Sequence, residues 1–413
     1  MLSAIGAYMD RYSLAIIGGG FSGLCLNAML DERLKKKTVI FERLDRVGKK
    51  ILATGNGRGN FSNEDLSAEN YHGKDPSFVG RAIKTYDNKA ITRFFAKLGV
   101  PFTVENGRIY PQSLQANALL DALRLSAFPA SVKTGEKVAS IERIKGGFIV
   151  RAENYSCFAE NVALCAGGAS AENFGTDGSA YALALPFGHK VTELFPSLVR
   201  IKVASAAAKG LKGVKLPSKV GIFDGEKKLA ETSGDILFGD NFISGNTAFY
   251  LSSFVHGLKD PKIIADLIPE KGEEEIVGAL SDRVKRFPQE PSSFLLSGVV
   301  HSALSNKIAR ELLPNKKLKD IKKADIINVF DILKNYKINI CGVGTFDISQ
   351  VTHGGIETSD VCDDTMMSKL CPDLYFCGEI LDIDGDCGGY NLQWAFSSAS
   401  AVARQLNERY SDR

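Results

Sequence analysis

The sequence predicts an α/β fold interrupted by an inserted middle module, and three observations carry that prediction. Residues 14–42 read as strand, glycine turn, helix and strand; residues 161–168 and 374–379 are apolar runs that each end in glycine; and between residues 195 and 335 short strand-like pieces give way to helical segments. The first two patterns belong to a parallel sheet, and the third to neither half of one.

The opening stretch is the most specific. Four apolar residues, 14–17, run into Gly18, Gly20 and Gly23, and a helix-compatible segment, 21–30, precedes a second apolar run at 38–41. Gly18 permits a tight turn, Gly20 lets backbone approach a pyrophosphate, and Gly23 lets the helix pack on the sheet with its N-terminal end toward the phosphates. Glu42 closes the second strand nineteen residues after Gly23, where a carboxylate can accept hydrogen bonds from an adenosine ribose. An ordinary glycine-rich turn would leave Glu42 without a role. The pattern is that of a dinucleotide-binding Rossmann unit.

With 413 residues and 44% hydrophobic content, the chain can fill the cores of two or three domains. A net charge of +3 is compatible with a polyanionic partner without requiring one. The eight cysteines, at 25, 157, 165, 341, 362, 371, 377 and 387, contain no CxxC spacing, so neither a zinc site nor a dithiol redox pair is written, and no metal is expected. The first dozen residues lack a basic segment followed by a long apolar core, and no run approaches the roughly 18 apolar residues of a membrane span. A cytoplasmic protein with no membrane partner is expected.

After Glu42 and Arg43 comes a loop, residues 43–63, in which Lys49, Lys50 and Arg58 lie among Gly48, Gly55, Gly57 and Gly59, with Asn56, Asn60 and Asn63. Such a loop offers amides and cations to an anionic or electron-rich ligand, and its composition equally suits a solvated loop. Apolar spacing predicts two helices over 76–98 and another over 117–128, before Pro129. Residues 137–151 alternate around Gly146 and Gly147 as a hairpin, and 156–160 read as a third short strand of a meander. The run 161–168, NVALCAGG, reads as a buried parallel strand, and 175–189 as a glycine-led helix.

The inserted module is expected to hold strands near 199–203, 220–223 and 235–238, then mainly helices from 260 to 335. Within it Lys307, Arg310, Lys316, Lys317, Lys319, Lys322 and Lys323 fall in seventeen residues. A solvated helix face and an RNA-facing surface both satisfy that run. Strand patterns return at 339–346 and 374–377, with Gly378 and Glu379 next, and Gly385, Gly388 and Gly389 then lead into a helix starting near Tyr390. Such an ending can place a carboxylate on a ribitol and a helix N-terminus against an electron-rich ring edge.

Three stretches in order, GGGFSG, GKKILATGNGRGNFSN and CGEILDIDGDCGGYNLQWAFSSA, resemble the YhiN/BaiN family of flavoproteins from about Leu14 to the C-terminus. CAGG, GDILF with ISG, and QVTHGGIETSD fall between them in the family's order. The resemblance implies a glutathione-reductase-type FAD domain built from both chain ends (12–194 and 341–413) around a β-barrel-like and helical insert (195–340). By that likeness Gly18, Gly20, Gly23 and Glu42 hold the ADP half, Val138 meets the adenine through its backbone, and Gly378 with Glu379 meets the ribitol. Gly389, Tyr390, Asn391 and Leu392 border the isoalloxazine, and Arg58 and Asn60 lie in the loop beside it. Phe21, Ser22, Arg43 and Lys50 complete the candidate cofactor-binding set, and Arg58, Asn60 and His353 are the candidate catalytic residues.

The family's proteins are described as ribosomal-RNA dihydrouridine synthases, bile-acid enoyl reductases and aminoacetone oxidases, so the likeness fixes the cofactor more closely than the substrate. Relatives commonly carry Cys where this chain has Gly59 and a small residue where it has His353, which either donates a proton or fills space near the ring. Three functions are consistent with the sequence. One is a reductase passing hydride from flavin N5 to an activated C=C bond, either uracil in ribosomal RNA or a small conjugated substrate. The others are an oxidase of a small amine and a non-catalytic FAD-containing RNA-binding module. A single GxGxxG leaves no second Rossmann domain, so NADH or NADPH would be a transient donor.

Overall fold

The computed structural model describes residues 9–411. These divide into two compact units: residues up to Pro196 together with those from Phe346 onward, and Ser197–Thr345.

The first unit is built on five parallel strands in the order Ser131–Thr134, Thr38–Glu42, Asp10–Ile17, Ser156–Leu164 and Leu374–Phe376. Consecutive residues such as Leu14, Ala15 and Ile16 are all fully buried, which only a sheet covered on both faces allows. The strand from the C-terminal part of the chain pairs with Val162, Ala163 and Leu164, so both ends of the chain complete one Rossmann-type sheet. Each of the three central strands ends at a glycine motif or at Glu42, so the motif loops emerge together at the carboxyl edge, where doubly wound sheets hold their ligands.

Two expectations are corrected here. Residues 156–160 and 161–164 form one continuous strand, because its first half pairs antiparallel with Gly147–Ala152 while its second half uses the same edge to pair with Leu374–Phe376. Residues 175–189 form two short 3-10 segments, Ser179–Leu183 and Leu185–Phe187, not a helix. Left-handed backbone at Gly175, Gly178 and Gly188 (φ +92°, +76° and +88°) interrupts the helical path there.

The helix Tyr390–Tyr410 packs on Phe21–Ala28 through its small residues, with Ala395 against the Gly378–Ser22 contact and Asn407 donating to the Met29 carbonyl at 2.9 Å. Trp394 is buried and donates its ring N–H to the Gly378 carbonyl at 3.2 Å.

The second unit is a closed six-strand barrel in the order Ile201–Val203, Phe242–Ser244, Lys227–Phe238, Lys215–Asp224, Pro261–Asp266 and Tyr336–Val343. In the strand Lys215–Asp224, exposed Lys215, Pro217 and Lys219 alternate with buried Leu216, Ser218 and Val220, which is why a stretch that looks broken in sequence is one long strand. Pro261–Asp266 lies where mainly helix is expected; its apolar run is too short to distinguish the two periods, and barrel pairing decides it. The helices Glu273–Arg286, Ser302–Leu312 and Lys323–Lys334 follow. Among the described residues no helix is long and apolar enough to cross a membrane.

Candidate functional site

The first turn has three glycines with three different constraints. A Cβ on Gly18 would lie 2.5 Å from the Cys165 carbonyl oxygen, one on Gly23 would overlap the Gly18 carbonyl oxygen, and one on Gly20 would meet no atom within 4 Å. Thus Gly18 and Gly23 are required by the protein's own packing, whereas Gly20 opens onto space. No side chain caps the helix Phe21–Ala28 at Gly20, so its first N–H groups remain available to an anion. Phe21 packs its ring 6.0 Å from Phe95 and Ser22 turns toward the Cys165 carbonyl at 3.5 Å, leaving their backbone amides for a ligand.

Glu42 accepts from Gly19 N at 3.2 Å and Leu44 N at 2.9 Å. Burial raises its pKa, against the lowering effect of those amides and of Arg43. The carboxylate is thereby fixed in orientation at the end of its strand. Arg43 pairs with Asp177 at 2.6 Å, and Lys137, beside Val138, lies 3.6 Å from the same carboxylate. Asp177, which the sequence gives no reason to select, therefore gathers Arg43 and the start of the strand Val138–Ile144 near Glu42; burial pushes its own pKa up, and the hydrogen bonds from Arg43 and Ser179 together drive it far down.

The three quoted sequence stretches interlock. Gly48 N donates to Gly19 O at 2.8 Å, joining the first to the second. Lys50 pairs with Glu379 at 2.9 Å, Asn63 donates to Gly388 O at 3.0 Å and Ser62 to Gln393 at 2.6 Å, joining the second to the third. Gly389 (φ +100°) passes so close over Ser62 that any side chain would overlap its backbone. Glu379 also accepts from Thr352 N at 3.0 Å, bringing the strand Val351–His353 to the same place.

Side chains in the third stretch are used to shape it. Asn391 holds Gly385 with both ends of its amide, at 2.8 and 2.7 Å, and Tyr390 donates to Asp65 O at 2.9 Å. Leu392 packs half-buried on the core. No side chain caps the helix at Gly389, so its first amides are again unclaimed by a capping group.

The three catalytic candidates separate in character. Asn60 is buried and spends both amide hydrogens on the carbonyls of Ser62 and Ile109, at 2.9 and 3.0 Å, which is a structural use. Arg58 is half-exposed, paired with Glu105 and stacked 4.4 Å over the Tyr110 ring. His353 places Nδ1 2.7 Å from Asp384 Oδ1, and that hydrogen bond raises its pKa although burial opposes it. Gly59, with φ +75° and an added Cβ only 2.9 Å from Ala116 Cα, has a backbone shaped for glycine, so no thiol stands in its place. Asp384 belongs to the third quoted stretch, but nothing in a separation of 31 residues marks it as the partner of His353.

The chain matches the family described as HI0933-like protein Rossmann domain over residues 12–405. It belongs to that family. The HI0933-like chain is 34% identical to a 3-dehydro-bile acid delta(4,6)-reductase of Clostridium scindens, over 96% of its own length and 99% of the relative's. It is 27% identical to a ribosomal RNA dihydrouridine synthase of Haemophilus influenzae (97% and 100% of the two chains) and 24% identical to one of Escherichia coli (96% and 98%).

This is a family of FAD-dependent oxidoreductases, and the residues present fit the cofactor. Open space at Gly20 lies at an uncapped helix N-terminus, suited to a pyrophosphate, and the fixed carboxylate of Glu42 at its strand end is suited to a ribose. The HI0933-like chain should lose cofactor affinity on Glu42→Ala, by about 1–3 kcal/mol for charge-assisted hydrogen bonds to a ligand hydroxyl. Isothermal titration of the apoprotein with FAD measures this, and an unchanged affinity would place the ribose elsewhere.

Proposed function

We propose that the chain saturates an activated C=C bond in a small conjugated substrate, with NADH or NADPH as the electron source. The relatives, named as a delta(4,6)-reductase and dihydrouridine synthases, have double-bond reduction in common. FAD, when bound, supplies hydride chemistry at flavin N5. The chain's own part is to hold the dinucleotide by Gly18, Gly20, Gly23 and Glu42, to set Glu379 with Lys50, and to give a proton from His353. In the net reaction the nicotinamide loses a hydride equivalent, the substrate gains one hydride and one proton across the double bond, and His353 recovers its proton from water. The observation that carries this reading is the His353–Asp384 pair, one residue from the Thr352 amide bound to Glu379: a histidine whose charged form is favoured by a buried carboxylate is the acid that such a reduction needs.

The ribosomal-RNA reading has support in the two synthase relatives and in exposed Lys317, Lys319, Lys322 and Lys323. The basic run is partly neutralised from within, since Lys307 is buried against Glu311 and Lys316 pairs with Asp325 at 3.1 Å. That weakens its case as a phosphate-binding surface. Anaerobic stopped-flow absorbance of the holoprotein tests the alternatives: bleaching by NADH or NADPH and recovery on adding a conjugated enone is the expected result. Recovery only with oxygen would indicate an oxidase. Recovery only with ribosomal RNA, with affinity falling steeply with salt, about 0.7–0.9 in log–log slope per phosphate, would favour the RNA substrate.

A further inference from the structure

We propose that Asp384 is the positioning residue for His353, committing its Nδ1–H so that Nε2–H is the proton presented for transfer. The inference rests on the reading of His353 as proton donor given above. His353 ends the strand Val351–His353, and Asp384 lies on the short strand Asp384–Gly385, which pairs antiparallel with Tyr71–His72. Asp384 is fully buried; its Oδ1 accepts from His353 at 2.7 Å, and its Oδ2 has no hydrogen-bond partner among the described residues. A buried carboxylate needs a partner that gives it both a hydrogen-bond donor and a countercharge. The imidazolium of His353 is that countercharge. An ionised carboxylate only accepts, so when the ring gives up a proton it must keep the one on Nδ1, and the proton that leaves is on Nε2.

A second pair makes the assignment testable. His72, the ladder partner of Asp384, turns its Nε2 to Asp386 Oδ1 at 2.8 Å, so the two pairs use opposite ring nitrogens. The groups around His353 are Asp384, Asp382, the Phe195 ring, 6.3 Å between centroids, and His72, whose charge acts against its own; His72 has Asp386, Asp384 and His353. Burial lowers the pKa of His72, and Asp386 more than restores it. His353 gains most from Asp384.

Nitrogen-15 NMR of the unaltered, FAD-loaded protein resolves the tautomers, because the chain has only five histidines and His353→Gln and His72→Gln assign the two in question. Above its titration, neutral His353 should carry its proton on Nδ1 and His72 on Nε2. In Asp384→Asn the His353 titration should move down by about one pH unit or more, the loss of an adjacent opposite charge, and the basic limb of the pH–rate profile should move with it while FAD content stays constant. Neutral His353 protonated on Nε2, or a folded Asp384→Asn protein with His353 titration and pH limb unmoved, overturns the proposal. If Asp384→Asn does not fold, the tautomer in the unaltered protein decides the matter. Full turnover in His353→Gln overturns the underlying reading, and this proposal with it; lost turnover in that variant together with the Nε2 tautomer overturns this proposal alone.

Discussion

Gly23→Ala should yield a protein that is purified nearly free of flavin and is less stable than the parent by about 1–3 kcal/mol, the usual cost of overpacking a tight site. The added methyl overlaps the Gly18 carbonyl oxygen and presses on Ile16 Cγ2 at 3.1 Å, so helix and strand must separate at the turn that shapes the phosphate site. Gly20→Ala makes the matching control. Gly20 has φ −82° and ψ −167°, which alanine adopts without strain, and its Cβ would meet no atom of the described residues within 4 Å. That variant should keep the thermal stability of the apoprotein yet lose FAD affinity by tenfold or more (about 1.4 kcal/mol), because the only thing it obstructs is the ligand. Flavin absorbance per protein and thermal unfolding of both apoproteins separate the two effects. Full flavin content in Gly23→Ala would mean that the turn relaxes at no cost, and full FAD affinity in Gly20→Ala would mean that the pyrophosphate lies elsewhere.

The contrast between these glycines indicates what a sequence displays and what it conceals. The strand, turn, helix and strand of residues 14–42 are legible because each step is local: apolar runs, glycine spacing and a carboxylate at a fixed offset are all decided within one supersecondary unit. The barrel was less legible, since its strands are held by partners far along the chain, as Pro261–Asp266 is by Lys215–Asp224 and Tyr336–Val343. The continuous strand Ser156–Leu164 was hidden for the same reason, because its change of partner halfway along depends on residues after 370. In the candidate site, the two helix starts without a side-chain cap, after Gly20 and Gly389, follow the glycine spacing. Side-chain roles do not: Asn60 looks like a ligand-facing amide and is instead a tether, while Asp177 and Asp384 acquire their importance from partners far away in sequence.

His353→Gln should reduce turnover of a conjugated acceptor by 10²–10⁴-fold, the usual contribution of a positioned general acid, while leaving FAD content and bleaching by the nicotinamide donor unchanged. The separation follows from where the residue sits. His353 hydrogen-bonds Asp384 and lies beside the Phe195 ring, whereas the proposed hold on the dinucleotide runs through the first-turn glycines, Glu42 and the Lys50–Glu379 pair, to none of which His353 hydrogen-bonds among the described residues. Gln can reach toward Asp384 with its amide but has no proton to give. The pH dependence gives an independent sign. Because the Asp384 hydrogen bond raises the pKa of His353 above its ordinary value, the charged acid persists to higher pH than for a free histidine, so parent activity should be full below that raised pKa and decline as pH rises through it. The Gln variant has no such group, so its residual rate should lack that basic limb. A variant whose turnover matches the parent would mean that the proton comes from water or from the substrate's own hydroxyls. A parent profile with activity rising through the same pH range would mean that His353 acts as a base, which suits removal of a hydride from an amine better than addition of one to a double bond.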